Sequence, residues 1–441
     1  MRIIVIGYGT AGLTSAGYAK IFNKKAEVIV FEKRSYAIYH PCSIPDVLSG
    51  EINTWDKIVE KAPRMSSFKV YTSSEVFDVD GNVVYAMTPS GDIKIPFDKL
   101  IIATGSTPLK PRSIPGIDLE GVYAIKTVED GERIESNISK VKKVAVIGAG
   151  PLGIEAAFSL KKRGLDVYLF ELKDTVLPGK IDPPIAKEVE KTLRQAGITV
   201  YTKTPLEEVK GKDKVESVVA GGEEFKVEIV ILALGVKPNT SLAQKIGVKL
   251  SEKKAIKVND RMETNIPSIY AAGDCVESWD VITGKPIMPF LANTAFQQGR
   301  VAGINAAGGE EYFKGSVLSW AIPVGEYSVG AVGLTSNMAK EYGFDPITIS
   351  VKTTLQPKYY PQASPIHLRL IVSTEGRILG AQVYGKINPA YMLNFFSQAI
   401  YQKLSVKDLL GMEYLYTPAF VEIPDVVYKA LEGASRRIRF T

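Results

Sequence analysis

The chain writes one local grammar twice. Residues 2–32 read as an apolar strand, "RIIVIG", a glycine turn that opens a helix, "YGTAGLTSAGYAKIF", and a second strand, "EVIVFE". From residue 143 the same order returns as "KVAVIG", "AGPLGIEAAFSLKKRG" and "DVYLFE". Each copy sets Gly-x-Gly-x-x-Gly at the strand-to-helix junction, as Gly7, Gly9 and Gly12 and then Gly148, Gly150 and Gly153. Each closes its second strand on an acid, Glu32 and Glu171. Strand, turn, helix, strand in this order reads as a βαβ unit, so the pattern predicts two such units.

The spacing has a physical reason. The first glycine permits a tight turn, the second lets backbone approach a pyrophosphate, and the third lets helix pack on strand. The phosphate then rests on free N–H groups at the helix start, where the dipole favours an anion. The acid about 20 residues later accepts from a ribose diol. One such motif is weak, because a glycine-rich turn that binds nothing looks the same. Two copies, each with strand, helix and acid in place, predict two bound dinucleotides.

Further segments organise the rest of the 441 residues, a length that predicts two or three domains. "FDKLIIATGSTP" ends a buried strand on Thr104-Gly105, and "EIVILALGVKPN" ends another on Gly235. "TNIPSIYAAGDC" puts Asp274 after a strand-like run, ahead of the helical stretch "NTAFQQGRVAGINAAG". Beyond residue 320 the pattern turns to the alternating strands "SVGAVGL", "ITISVK", "HLRLIV" and "ILGAQVYG", and then to helices with capping signals such as Ser405-Val406-Lys407-Asp408. That is a third domain, α+β in kind. The expected boundaries are 1–112 with 245–320 for the first unit, 113–244 for the second and 321–441 for the third.

Composition narrows the class. With 54 basic and 48 acidic residues mixed along the chain, a net charge of +6 argues for solubility and not for nucleic-acid binding. No apolar run reaches the roughly 18 residues of a membrane span, and no charged leader precedes the first strand. The basic end "ASRRIRFT" reads as a solvated tail. Two cysteines, Cys42 and Cys275, make no disulfide framework and fit a reducing, cytoplasmic setting. No metal site is read.

Together these residues resemble the two-dinucleotide flavoprotein disulfide reductases over essentially the whole chain. The ordered set is Gly7-x-Gly9-x-x-Gly12 with Glu32, then Ala103-Thr104-Gly105, then Gly148-x-Gly150-x-x-Gly153 with Glu171, then Ala272-Gly273-Asp274. The resemblance implies an α/β fold of two Rossmann-like domains, binding FAD and NAD(P)H in that order, plus a C-terminal dimerisation domain. It makes Asp274 a flavin ligand and Glu155 an acid near the flavin. Thr10, Ala11, Lys33 and Ser43 fall in the same cofactor-binding set.

Common members carry two cysteines separated by four residues, and here the second position is Val47. What remains resembles the single-cysteine branch of coenzyme A disulfide reductases, NADH oxidases and NADH peroxidases. "KYYPQASPIHLRL" and "MEYLYTPAF" look like segments that bring two tyrosines to the reactive sulfur from a partner subunit, which points to Tyr359 and Tyr416 and to a homodimer. Coenzyme A stands as a third candidate ligand. The basic pair that holds its phosphates in the relatives is half present, as Lys20-Ile21, with Lys24 and Lys25 close behind.

The implied chemistry passes a hydride from nicotinamide to flavin and then electrons to sulfur at Cys42. Cys42 must react as thiolate, so its pKa is expected to be lowered by a helix N-terminus in "SIPDVLSG", with Pro45 in the first turn, and by the oxidised flavin. Tyr359 and Tyr416 would donate to sulfur or protonate the departing thiolate. Glu171 favours NADH by repelling a 2′-phosphate, while Lys173 and Lys180 could offset that and admit NADPH. Plainer readings stand beside these: a free cysteine is more often a small buried hydrophobe, and a tyrosine, one of 21, is more often core. Cys275 and His367 read as structural, while His40 carries either a base or a packing role.

The leading expectation is an NAD(P)H-dependent reductase of a small disulfide, coenzyme A disulfide or a persulfide relative, through Cys42. A rival is an NADH oxidase or peroxidase that cycles Cys42 through sulfenic acid. From another class come an electron-transfer flavoprotein serving a protein partner and, further out, a non-catalytic nucleotide sensor.

Overall fold

The structure is a computed structural model that describes residues 1–60 and 67–438, so the last three residues of the basic tail lie outside the described residues. The first βαβ unit sits in a parallel sheet of five strands, ordered 269–271, 99–102, 2–6, 27–31 and 69–71. Helix α1 (Thr10–Phe22) follows its first strand. Ile3, Ile4 and Val5 are fully buried, as the continuous apolar runs of a parallel sheet covered on both faces require.

The second unit repeats the first. Its parallel sheet runs 122–124, 229–232, 143–147, 166–170 and 199–201. The repetition extends beyond the glycine motif, because each parallel sheet is accompanied by a three-stranded antiparallel meander, 75–96 in one half and 206–226 in the other. The two strand ends expected near Gly105 and Gly235 lead into one antiparallel ribbon, Ser106–Pro108 against Val236–Pro238, that ties the halves together.

The third sheet is antiparallel, in the order 320–324, 327–333, 378–385, 365–372 and 347–354. The helix Ala390–Tyr401 packs on it. The predicted cap at Ser405 is present, with Ser405 and Asp408 closing a reciprocal capping box. Among the described residues no helix is long and apolar enough to cross a membrane.

Between the first sheet's neighbouring strands 27–31 and 69–71 the chain detours. Helix α2 (Ile44–Ser49) buries Ile44, Val47 and Leu48 in the core of the second unit, beside α3 (Val128–Ile138) and α4 (Pro151–Lys162). Burying a side chain of this size stabilises by roughly 1.5–3 kcal/mol. Three of them in a six-residue helix hold it firmly to that core. The second unit continues with α5 (Pro183–Gln195), which faces the third sheet.

Candidate active site

The two nucleotide turns are built alike. Gly7 has φ +97°, and a Cβ there would lie 2.3 Å from Ala103 O; Gly148 has φ +102°, and a Cβ there would lie 2.6 Å from Ala233 O. A Cβ on Gly12 or Gly153 would meet the carbonyl of the first glycine at 1.9 Å or 1.8 Å. The middle glycines differ in kind. Among the described residues, leaving out chain neighbours and the helix's own backbone, no atom lies within 4 Å of a Cβ added at Gly9 or Gly150, and neither has a left-handed backbone. Packing does not call for glycine there, whereas close backbone approach to a pyrophosphate does. Both turns fit a dinucleotide.

The acids repeat as well. Glu32 is buried and accepts from Tyr8 N at 2.9 Å; Glu171 is buried and accepts from Ala149 N at 2.8 Å. Their surroundings then diverge. Arg34 binds Glu32 through two side-chain nitrogens, both at 2.8 Å, and through its backbone N–H at 3.0 Å. Lys173, in the matching position, donates only its backbone N–H, at 2.8 Å, and no cationic side chain pairs with Glu171 among the described residues.

Cys42 lies in the 3₁₀ turn Pro41–Ser43 that leads into α2, with its side chain open to solvent on one side. Val47, at the position where common relatives have a second thiol, points into the core. The expectation of a lowered thiol pKa is not met by the polypeptide's own groups. Burial by the atoms behind the sulfur pushes the thiol up, Glu155 adds to this, and Asp274 and Asp46 push the same way. Lys126 alone among the main contributors opposes them.

Lys126 was not legible as a site residue. It follows the strand Val122–Ala124, and its backbone N–H donates to Asp130 of the α3 capping box at 3.1 Å. Its Nζ donates to Ser106 Oγ at 3.0 Å and lies 3.5 Å from Asp274 Oδ2, which accepts from Ser106 Oγ at 2.7 Å. Asn239 locks the adjoining ribbon, donating from Nδ2 to Thr104 O at 3.0 Å and accepting at its own O from Thr104 Oγ1 at 2.6 Å. Gln298 accepts from Gly273 N at 2.9 Å and is buried, leaving its Nε2 without a partner among the described residues. Ser106, Asn239 and Gln298 fall in segments already read as two strand ends and a helix, and Lys126 lies outside them, but no spacing links the four, so the sequence alone could not bring them together.

Glu155, on α4, has its carboxyl pushed up to about 7, first by burial and then by Asp46. His40 turns to Glu60, with Nε2 3.5 Å from Oε1. Cys275 is fully buried, its Sγ 3.4 Å from Ala272 O. Lys33 and Thr10 are exposed, Ala11 is buried, and Ser43 caps α2 without a side-chain bond.

Tyr359 and Tyr416 stand apart. They are 73% and 49% exposed on the C-terminal unit, and among the described residues no hydrogen bond joins either hydroxyl to Cys42. Leu415, Phe420 and Ile423 are exposed on the same segment as Tyr416. Lys20 donates to Ala26 O at 2.8 Å and so ties the loop after its helix back to it, while Lys24 and Lys25 are exposed. A cavity of about 780 Å³ between the helices Ala292–Ala306 and Ala390–Tyr401 is lined by none of the predicted residues.

Comparison with known proteins bears on this geometry. The family profile described as pyridine nucleotide-disulphide oxidoreductase matches residues 1–299, and that family's dimerisation-domain profile matches residues 321–427. An NADH oxidase of Methanocaldococcus jannaschii is 38% identical over 447 residues, spanning 99% of each chain. An NAD(P)H coenzyme A polysulfide/persulfide reductase of Pyrococcus horikoshii is 32% identical, spanning 96% of each. The solved structure of an NAD-dependent persulfide reductase from A. fulgidus superposes with a TM-score of 0.95 at 32% identity, over 99% of this chain and 83% of that one.

Proposed function

The chain belongs to the pyridine nucleotide-disulphide oxidoreductase family, and we propose that it is an NAD(P)H-dependent reductase of a small disulfide or persulfide that works through Cys42 alone. The observation that carries this is the thiol itself: exposed, preceding a short helix whose next family thiol position is the buried Val47. The second sulfur then has to come from the substrate.

FAD, when bound at the first glycine turn beside Glu32, Thr104, Gly105 and Asp274, supplies a two-electron relay from the nicotinamide. The chain's residues do the rest. Cys42 thiolate attacks one sulfur of the disulfide, forming a mixed disulfide and releasing the other half as a thiolate that takes up a proton. Two electrons from NAD(P)H then cleave the mixed disulfide, returning Cys42 to thiolate and freeing the second thiol. The sum is disulfide, NAD(P)H and one proton converted to two thiols and NAD(P)⁺. Lys126 supplies the positive charge that the raised thiol needs, and Glu155, titrating near neutrality, can exchange a proton beside it.

NADH is the favoured donor, because among the described residues no cationic side chain pairs with Glu171 to welcome a 2′-phosphate. Coenzyme A phosphates would meet the exposed Lys24 and Lys25 and not the engaged Lys20. The exposed tyrosines support a homodimer in which Tyr359 and Tyr416 act on the partner's sulfur. We take 1–112 with 245–320 as the flavin unit, 113–244 as the nicotinamide unit and 321–441 as the dimerising unit. Two unpaired cysteines support a reducing, cytoplasmic setting.

Similarity to an NADH oxidase favours one second reading, in which peroxide or oxygen oxidises the same exposed sulfur to sulfenic acid. Turnover of purified enzyme and its Cys42→Ser variant on coenzyme A disulfide, persulfide, peroxide and oxygen separates the two. A variant as active as wild type on every acceptor would sink both.

A further inference from the structure

The helix that follows Cys42 is clasped at its far end. Helix α2 stops at Gly50, which takes a left-handed turn with φ +82°. Its last carbonyls face Arg163, the C-cap of α4: Nε donates to Leu48 O at 2.6 Å, and Nη2 lies 3.4 Å from Val47 O. The same Nη2 donates to Glu135 Oε1 of α3 at 3.2 Å. The other Glu135 oxygen accepts from the Trp55 indole N–H at 2.6 Å. Trp55 fits only because α3 has Gly131 beneath it, where a Cβ would lie 2.1 Å from the ring.

A six-residue helix has little cooperativity of its own, and its last carbonyls need outside partners. Arg163 provides them with a rigid planar fork, and its charge suits a helix C-terminus. Two fixed points therefore follow α2: Arg163 at its last carbonyls and Trp55 at the start of the next 3₁₀ turn, Trp55–Ile58. Both are held by Glu135. Helix α4 also carries Glu155 toward Cys42 and begins at the open turn of Gly150, so one rigid element spans the nucleotide turn, the sulfur's neighbour and the clasp.

We propose that Arg163, oriented by Glu135, is a positioning residue that sets the placement and reactivity of the Cys42 sulfur by fixing α2. This rests on the reading of Cys42 as the redox sulfur.

The test uses FAD-loaded enzyme with Arg163→Met, Arg163→Lys and Glu135→Gln. Three quantities are read: hydrogen exchange of the α2 amides, the rate of Cys42 alkylation by iodoacetamide, and turnover with the best acceptor. Arg163→Met should raise exchange across residues 44–50, change the alkylation rate, and lower turnover by about 10- to 100-fold, the range expected for small misplacement of a reacting group. Arg163→Lys should recover part of each, since one donor can still reach Leu48 O. Glu135→Gln keeps an acceptor for Trp55 and should fall between. Faster exchange with wild-type alkylation and turnover would overturn the proposal, as would wild-type exchange in Arg163→Met. Full activity of Cys42→Ser would instead remove the reading beneath it, whatever α2 does.

Discussion

Lys126 Nζ lies 3.5 Å from Asp274 Oδ2, and Ser106 Oγ hydrogen-bonds to both. Three separate segments of chain thus converge on one cation beside an otherwise acidic thiol site. Removing that cation by Lys126→Met leaves burial, Glu155, Asp274 and Asp46 unopposed, so the Cys42 thiol rises further. Alkylation of Cys42 should then need a higher pH and be slower at pH 7, converging with wild type in strong base. Turnover should drop roughly tenfold, less than for a group bonding the sulfur directly. Lys126→Arg should restore the alkylation profile; an unchanged profile in Lys126→Met would refute the assignment.

Glu155 gives a second pH signature. Its folded carboxyl titrates at about 7, well above a free carboxyl, so the folded state holds a proton that the unfolded chain has lost. The stability this contributes is present below the unfolded pKa and declines as pH rises toward 7. Glu155→Gln should therefore raise the melting temperature at pH 8 while changing it little at pH 4. It should also lower the Cys42 thiol, speeding alkylation above pH 7. A melting difference that is the same at both pH values would count against this.

The glycines of each turn should separate folding from binding. Gly12→Ala and Gly153→Ala drive a methyl into a carbonyl under 2 Å away, and overpacking of this kind costs about 1–3 kcal/mol or more. Gly9→Ala and Gly150→Ala meet no atom of the described residues beyond their own helix turn and chain neighbours, so with cofactors stripped they should melt as stripped wild type. Gly9→Ala should purify with less flavin, and Gly150→Ala should keep its flavin but bind NADH more weakly. Flavin stoichiometry and NADH titration decide the matter. Full cofactor binding in both would mean that the middle glycines serve no ligand.

The exposed tyrosines predict complementation between chains. Cys42→Ser and the double variant Tyr359→Phe, Tyr416→Phe should each be weak alone. Mixing them through a dissociation step should regain activity, approaching about a quarter of wild type if subunits pair at random in a symmetric dimer. No gain on mixing, with dimers verified by mass, would show that the tyrosines do not act across subunits.

Much of the fold was legible because glycine turns and apolar runs are local. The repeated βαβ units, the helix at 292–306, four strands of the last sheet and the Ser405 cap are each written within a few residues. The two meanders and the ribbon of 106–108 against 236–238 were not, because short half-exposed strands carry weak periodicity and gain their partners through tertiary pairing. The site divides the same way. Gly9, Glu32, Gly150 and Glu171 are marked by spacing, while the bonds of Ser106, Lys126, Asn239 and Gln298 join distant segments that no spacing links.

The thiol marks where sequence stops. The chain's own letters determine that Cys42 has no second thiol at Val47 and that two nucleotide turns flank it, since both facts depend only on residue identity and order. Whether the sulfur ionises easily was decided by tertiary structure. Folding brings Glu155, Asp46 and Asp274 toward Cys42 along with the desolvating atoms behind it, and allows Lys126 as the main opposing charge. A pKa is set by distance and burial, and neither can be read from order along a chain.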